Sequence, residues 1–197
     1  MNLLVLASNN AHKLEEVSRM LEPLGIQVRP LAEFPEIPDP PETAETFEGN
    51  ALQKARFVFE RTGIATIADD SGLEVDALNG APGVYSKRFT PEATATANNA
   101  RLLLELKGSD ERTARFVCAL ALVTKAGERT VRGTVEGEIG HSLKGEGGFG
   151  YDPLFLPKEA PGRAMAELTP AQKDEISHRG RALGALPEML AALQSEP

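Results

Sequence analysis

Several short stretches of this chain combine residue types that could do chemistry. Ser8-Asn9-Asn10-Ala11-His12-Lys13 follows an apolar, strand-like run and leads into a helical pattern. A helix N-terminus presents unpaired N–H groups, which suit an anion. Ser8 and Asn10 add hydrogen-bonding groups there, and Lys13 adds a positive charge about one turn in. On this segment alone, an Asn10 that only caps the helix beside a solvated Lys13 is an equally good reading. It is not a Walker A loop, because the glycines and the Lys-Ser/Thr pair are missing. Asp69-Asp70-Ser71-Gly72 stands where a short strand, Ala65–Ala68, is expected to end. On an extended backbone neighbouring side chains point to opposite faces, so one aspartate faces a given site and the other caps or braces. Taken alone, the stretch is also an ordinary turn composition.

Further carboxylates come from Glu42, Glu45 and Glu48, which could supply an oxygen ligand for a hard cation such as Mg²⁺. Without other support they are a solvated helix entrance. Lys173 and Ser177 are four residues apart, on one face of a predicted helix, with His178 and Arg179 at the next turn. Arg179 offers a planar donor fork and His178 a tautomer-dependent donor or acceptor. A charged, exposed helix face is the more common meaning of such a pattern. Gly145-Glu-Gly-Gly-Phe-Gly150 matches G-x-G-x-x-G, but Tyr151-Asp152-Pro153 and an extended apolar stretch follow it rather than a helix. The dinucleotide mechanism is therefore rejected. The glycines still allow a ligand close to the backbone. The three histidines, His12, His141 and His178, lie in unrelated segments, which gives little support to a histidine-ligated metal.

The elements that must position these residues follow from periodicity. Leu3–Ala7 reads as a strand, and Leu14, Val17, Leu21 and Leu24 form one stripe of a helix closed by Gly25. Residues 28–43 carry five prolines and read as a rigid surface connection. Phe47, Ala51, Ala55 and Val58 predict a second helix with one buried face, ending at Gly63. Residues 73–78 read as extended, and Asn79-Gly80 as a turn. Thr90-Pro91 is the expected N-cap and first residue of a third helix, through Leu102, Leu103 and Leu106 to Gly108. Residues 114–124 are apolar on both alternating sets, as in a strand covered on both faces, and pair across Ala126-Gly127 with an alternating partner. A helix opens at Thr169-Pro170 with capping-box spacing to Gln172, and Pro187 separates it from a short last helix. Hairpin and crossovers together predict α/β architecture with a mixed sheet flanked by helices, not a doubly wound parallel sheet.

Composition narrows the classes. A length of 197 residues suits one domain, or one domain with two lobes around a cleft. Twenty-nine acidic against 21 basic residues give a net charge of −8 (21 − 29), which argues against a nucleic-acid or acidic-membrane binder. Any polyanionic substrate must meet its positive charges locally. The single Cys118 excludes an intramolecular disulfide, and the longest apolar run near the start is too short for a membrane span or signal segment. A cytoplasmic address is the default expectation.

In register along nearly the whole chain, Ser8-Asn-Asn-x-x-Lys13, Glu42-Thr…Thr46-Phe-x-x-Asn50-Ala…Lys54-Ala, Ala68-Asp-Asp-Ser-Gly-Leu73, Gly80-Ala-Pro-Gly-Val-Tyr-Ser86, Phe149-Gly-Tyr-Asp-Pro153 and Lys173…Ser177-His-Arg179 resemble the inosine triphosphate pyrophosphatase family. The combination is specific where each motif alone was weak. The resemblance implies a single pyrophosphatase domain over residues 1–197, elongated and two-lobed, with a long mixed sheet and a cleft between lobes. It implies a homodimer and Mg²⁺-dependent hydrolysis of ITP, dITP and XTP, non-canonical purine nucleoside triphosphates, to the monophosphate and pyrophosphate. By position, Ser8, Asn9, Asn10, Ala11, His12 and Lys13 become the triphosphate-binding turn. Asp70 becomes the proton acceptor with Ser71 beside the substrate, and Glu42 with Asp70 the metal ligands. Phe149, Gly150, Tyr151, Asp152, Lys173, His178 and Arg179 become the nucleotide and base pocket. Glu45 departs from the familiar bacterial pattern, which has an apolar residue there, so Glu45 stays open as the alternative to Glu42. Two other readings are a Maf-like nucleotide pyrophosphatase with another base preference and a nucleotide-sensing module without turnover. The Ser-His-Arg ending and the Phe-Gly-Tyr-Asp segment speak against the first, and Asp70 with the lysines against the second.

Overall fold

The structure, a computed structural model, describes residues 3–195. Its strands are β1 (Leu3–Leu6), β2 (Gln27–Pro30), β3 (Thr66–Val75), β4 (Thr113–Thr124), β5 (Gly127–Ile139) and β6 (Phe155–Pro157). The helices are α1 (Ala11–Leu21), α2 (Phe47–Thr62), α3 (Ala95–Glu105), α4 (Pro170–Ile176), α5 (His178–Gly184) and α6 (Leu186–Ser195). The strands form one sheet in the order β2-β1-β3-β4-β5-β6. β1 runs parallel to β2 and β3, whereas β5 and β6 are antiparallel, so the sheet is mixed as expected. No helix among the described residues is long and apolar enough to cross a membrane.

Several boundaries differ from the sequence reading, each for a local reason. The Asp-Asp-Ser-Gly stretch is not a turn. β3 runs straight through it for ten residues, from Thr66 to Val75. The proline-rich connection contributes β2, whose proline stands at the strand's last residue, on a sheet edge where a missing N–H is tolerated. Thr90 does not cap α3. Its backbone N–H and its hydroxyl both donate to Asn98 Oδ1, and Thr94 caps the helix by accepting from the Ala97 N–H. The predicted helix from Pro170 breaks at Ser177 (φ −67°, ψ 156°), so Lys173 and Ser177 do not share an uninterrupted helix face. The next break falls at Ala185, and Pro187 lies inside the first turn of α6. Leu24 leaves the α1 stripe for a 3₁₀ turn and is half exposed.

The chain divides into two compact units. The first contains residues 1–70, 118–133 and 179–197; the second contains 71–117 and 134–178. In the first, Leu4 and Leu6 of β1, Val17 and Leu21 of α1, Leu120 and Leu122 of β4, and Leu183 and Leu186 form a core. In the second, Leu73, Val75, Leu102, Phe116, Ile139, Tyr151 and Phe155 do so. Both cores stand directly beside polar residues singled out above: β3 carries Asp69 and Asp70 on from Ile67, and Tyr151 belongs both to a core and to the Phe-Gly-Tyr-Asp segment.

Candidate active site

In the first unit, the turn after β1 is built by its own side chains. Ser8 Oγ accepts from the Asn10 N–H (3.2 Å), and Asn10 Oδ1 accepts from the Lys13 N–H (3.3 Å), so the cap is real. Asn9 donates to Asp39 (2.6 Å), and Ala11 and His12 are exposed in the first turn of α1. Lys13 is not a solvated surface lysine. Its ammonium lies 3.0 Å from Asp69 Oδ2.

The two aspartates diverge as strand alternation requires. Asp69 is fully buried and pairs with Lys13 and, at 2.9 Å, with Arg179. Arg179, the largest side chain removed from solvent, also pairs with Glu16 of α1. Burial by itself would raise the Asp69 pKa, but the adjacent Lys13, Arg179 and Lys54 outweigh it and hold the carboxyl well below the usual range. The same burial lowers the Lys13 pKa, with Asp69 opposing. Cys118 of β4 sits 4.0 Å from Asp69 with its thiol pushed up to about 12, chiefly by burial, so it is a buried, unreactive thiol.

Asp70 faces a different set. Its Oδ2 accepts from Asn50 Nδ2 (3.0 Å) and its Oδ1 from Lys54 Nζ (3.4 Å), both on α2. Lys54 also donates to Glu42 Oε1 at 2.7 Å. Burial raises the Asp70 pKa above the ordinary aspartate value, against the pull of Lys54 and the Asn50 hydrogen bond. For Lys54, burial is outweighed by the carboxylates of Asp70, Asp69 and Glu42, and its pKa rises. Glu45 is exposed at the entrance of α2.

Asn50 and Lys54 are the residues that sequence reasoning passed over as site members. The signal was present. They fall at i+3 and i+7 from Phe47, on the same stripe as Ala51, Ala55 and Val58, where a polar side chain must be buried against something.

Glu42 and Asp70 already direct oxygens at one cation, the Lys54 ammonium. Among the described residues no group of three or more His, Cys, Asp or Glu is arranged to hold a metal. Mg²⁺ is ordinarily bound by one or two carboxylates plus substrate phosphates and water, so this donor set fits it.

The second unit gathers the remaining candidates, apart from Arg179. Asp152 Oδ2 accepts from the Phe149 N–H and from Lys173 Nζ, both at 2.8 Å. The Lys173 ammonium lies 4.7 Å from the centre of the Phe149 ring. Gly148 permits this loop: its φ is +69°, and a Cβ there would stand 2.1 Å from Asp152 Oδ2. The Tyr151 ring is core, with its hydroxyl donating to Ser86 O (2.8 Å). His178 is 6% exposed and stacks on Phe116, ring centres 4.9 Å apart. Ser71, next to Asp70 in the chain, is partly exposed.

Comparison with known proteins decides the family. The Ham1 family profile matches residues 4–189. The chain belongs to the Ham1 family. A curated relative from an Exiguobacterium species, named dITP/XTP pyrophosphatase, is 54% identical over 93% of this chain and 94% of its own length. One of the same name from Mycolicibacterium paratuberculosis is 47% identical over 98% of each. The solved HAM1 protein of Coxiella burnetii superposes with a TM-score of 0.86 at 42% identity, covering 98% of this chain and all of that one. The Staphylococcus aureus Ham1 protein gives 0.85 at 38%, covering 97% and 99%. The Ham1 match runs through both compact units and takes in every candidate site residue named above, from Ser8 to Arg179.

Proposed function

We propose that this chain is a nucleoside triphosphate pyrophosphatase that hydrolyses ITP, dITP and XTP to the nucleoside monophosphate and pyrophosphate. Relatives about half identical over nearly the full chain carry the name dITP/XTP pyrophosphatase. The observation that carries the chemistry is the split of the paired aspartates. Asp69 is locked between Lys13 and Arg179, whereas Asp70 has its proton affinity raised by burial.

In this reading Asp70 takes the proton of a water aimed at the α-phosphorus, the task a carboxylate with a raised pKa suits. Lys13 and Lys54 meet the triphosphate charge, together with the N–H groups at the start of α1. A chain of net charge −8 thereby gathers its positive charge where a polyanion needs it. Glu42 and Asp70 are the residues that would hold Mg²⁺, which when bound neutralises phosphate charge and favours departure of pyrophosphate. Phe149, Gly150, Tyr151, Asp152, Lys173, His178 and Arg179 are assigned to the nucleoside. Within that group Arg179 is engaged by Asp69 and Glu16, and Asp152 by Lys173, so both act largely by holding others in place. A homodimer and a cytoplasmic address complete the proposal.

Discrimination against adenine in this scheme rests on the 6-keto oxygen, which accepts where the 6-amino group of adenine would donate. Buried donors left facing a donor are costly, so kcat/KM for ITP and XTP should exceed that for ATP by on the order of 10² or more. Steady-state rates on the purified chain with Mg²⁺ measure this directly. Equal values for ITP and ATP would remove the base assignment.

A further inference from the structure

Two neighbouring asparagines on α3 are buried, and they are used differently. Asn98 commits both ends of its amide: Oδ1 accepts twice from Thr90, and Nδ2 donates to the carbonyls of Ser86 and Lys87. That is a side chain holding a fold together. Asn99 is equally buried, 5% exposed, but its Nδ2 donates to Gly150 O (2.9 Å) while its Oδ1 has no hydrogen-bond partner among the described residues. The amide cannot be the other way round, because Oδ1 would then face the Gly150 carbonyl oxygen. A buried unsatisfied oxygen costs stability, and an apolar residue would fill the place without it. What the amide supplies in return is a grip on one backbone carbonyl.

That carbonyl belongs to the segment assigned above to the nucleoside. Gly150 stands at φ +63°, and without a Cβ it sets few steric limits on the orientation of the peptide that follows. The Gly150–Tyr151 peptide is trans, so fixing its C=O toward α3 directs the Tyr151 N–H to the opposite side. Tyr151 is held a second time, through its hydroxyl on Ser86 O. The peptide plane is thus fixed from both ends, with its donor turned away from the helix that grips it.

We propose that Asn99 is a positioning residue for base selection, holding the Gly150–Tyr151 peptide so that its N–H is presented to the 6-keto oxygen of the purine. This rests on the pyrophosphatase reading and on the assignment of residues 149–152 to the nucleoside.

The test is Asn99→Ala and Asn99→Asp, assayed with ITP and ATP and followed by thermal unfolding. The aspartate keeps the shape but replaces the donor by an acceptor. In both variants KM for ITP should rise about tenfold, kcat should change less, and the ITP-to-ATP ratio of kcat/KM should fall about tenfold, the scale of one lost recognition hydrogen bond. A lower melting temperature with that ratio unchanged would make Asn99 a purely structural residue and overturn the proposal. Failure of both variants to fold would overturn it in the same sense. Wild-type protein that does not turn over ITP would instead contradict the pyrophosphatase reading, whatever the variants do.

Discussion

Asp70→Asn is expected to lower kcat for ITP by roughly 10² or more, the scale of a lost general base. The substitution keeps the side chain's shape and leaves an oxygen to accept from Asn50, whose Nδ2 now lies 3.0 Å from Asp70 Oδ2. The fold should therefore survive. KM should stay level or fall, since one carboxylate no longer repels the triphosphate. An unaltered kcat would place the proton acceptor elsewhere. A loss of kcat matched by a loss of folded protein would mean that the Lys54 and Asn50 contacts, rather than the chemistry, account for the residue.

Asp69→Asn is the second large effect, and it falls on a different quantity. Strand alternation alone makes Asp69 a bystander to Asp70's face. The structure makes it the buried anion that balances Lys13 and Arg179. Removing one partner of a buried ion pair leaves charge uncompensated, so stability should drop by about 3–5 kcal/mol. KM should rise as well, because Lys13 loses its anchor. The pH dependence follows from the sign of the shift. The folded Asp69 carboxyl titrates well below the ordinary aspartate value of 3.8, so its stabilisation is complete above that pH and is lost as pH falls through the folded pKa. Urea unfolding should thus separate wild type from Asp69→Asn widely at pH 7, and the gap should narrow below about pH 4. Equal stability at pH 7 would show that the charge network contributes nothing.

How much of this was legible in the sequence depended on whether a residue's partner was local. The Ser8–Lys13 turn, the capping of α4 by Thr169 and the doubly buried β4 follow from spacing, because the partners lie within a turn or a pleat. The run of β3 through Asp69–Gly72 was not legible. The composition is that of a turn, and what overrides it is long-range: sheet pairing, with Asp69 held by Lys13 and Arg179, 56 and 110 residues away in the chain. For Lys54 and Asn50 the periodicity showed burial but not the partners. Their meaning as buried polar groups depends on Asp70 and Glu42, which helix periodicity does not bring to them. Ser177 shows the reverse error, in which an unbroken periodic pattern concealed an extended residue between two helices.

In the proposed reaction water attacks the α-phosphorus of a non-standard purine triphosphate. Hydrolysis of ITP in ¹⁸O-labelled water, with products separated and weighed by mass spectrometry, tests it most directly. Inosine monophosphate should carry one labelled oxygen, and pyrophosphate none. Label in the pyrophosphate, or orthophosphate as the first product, would contradict it.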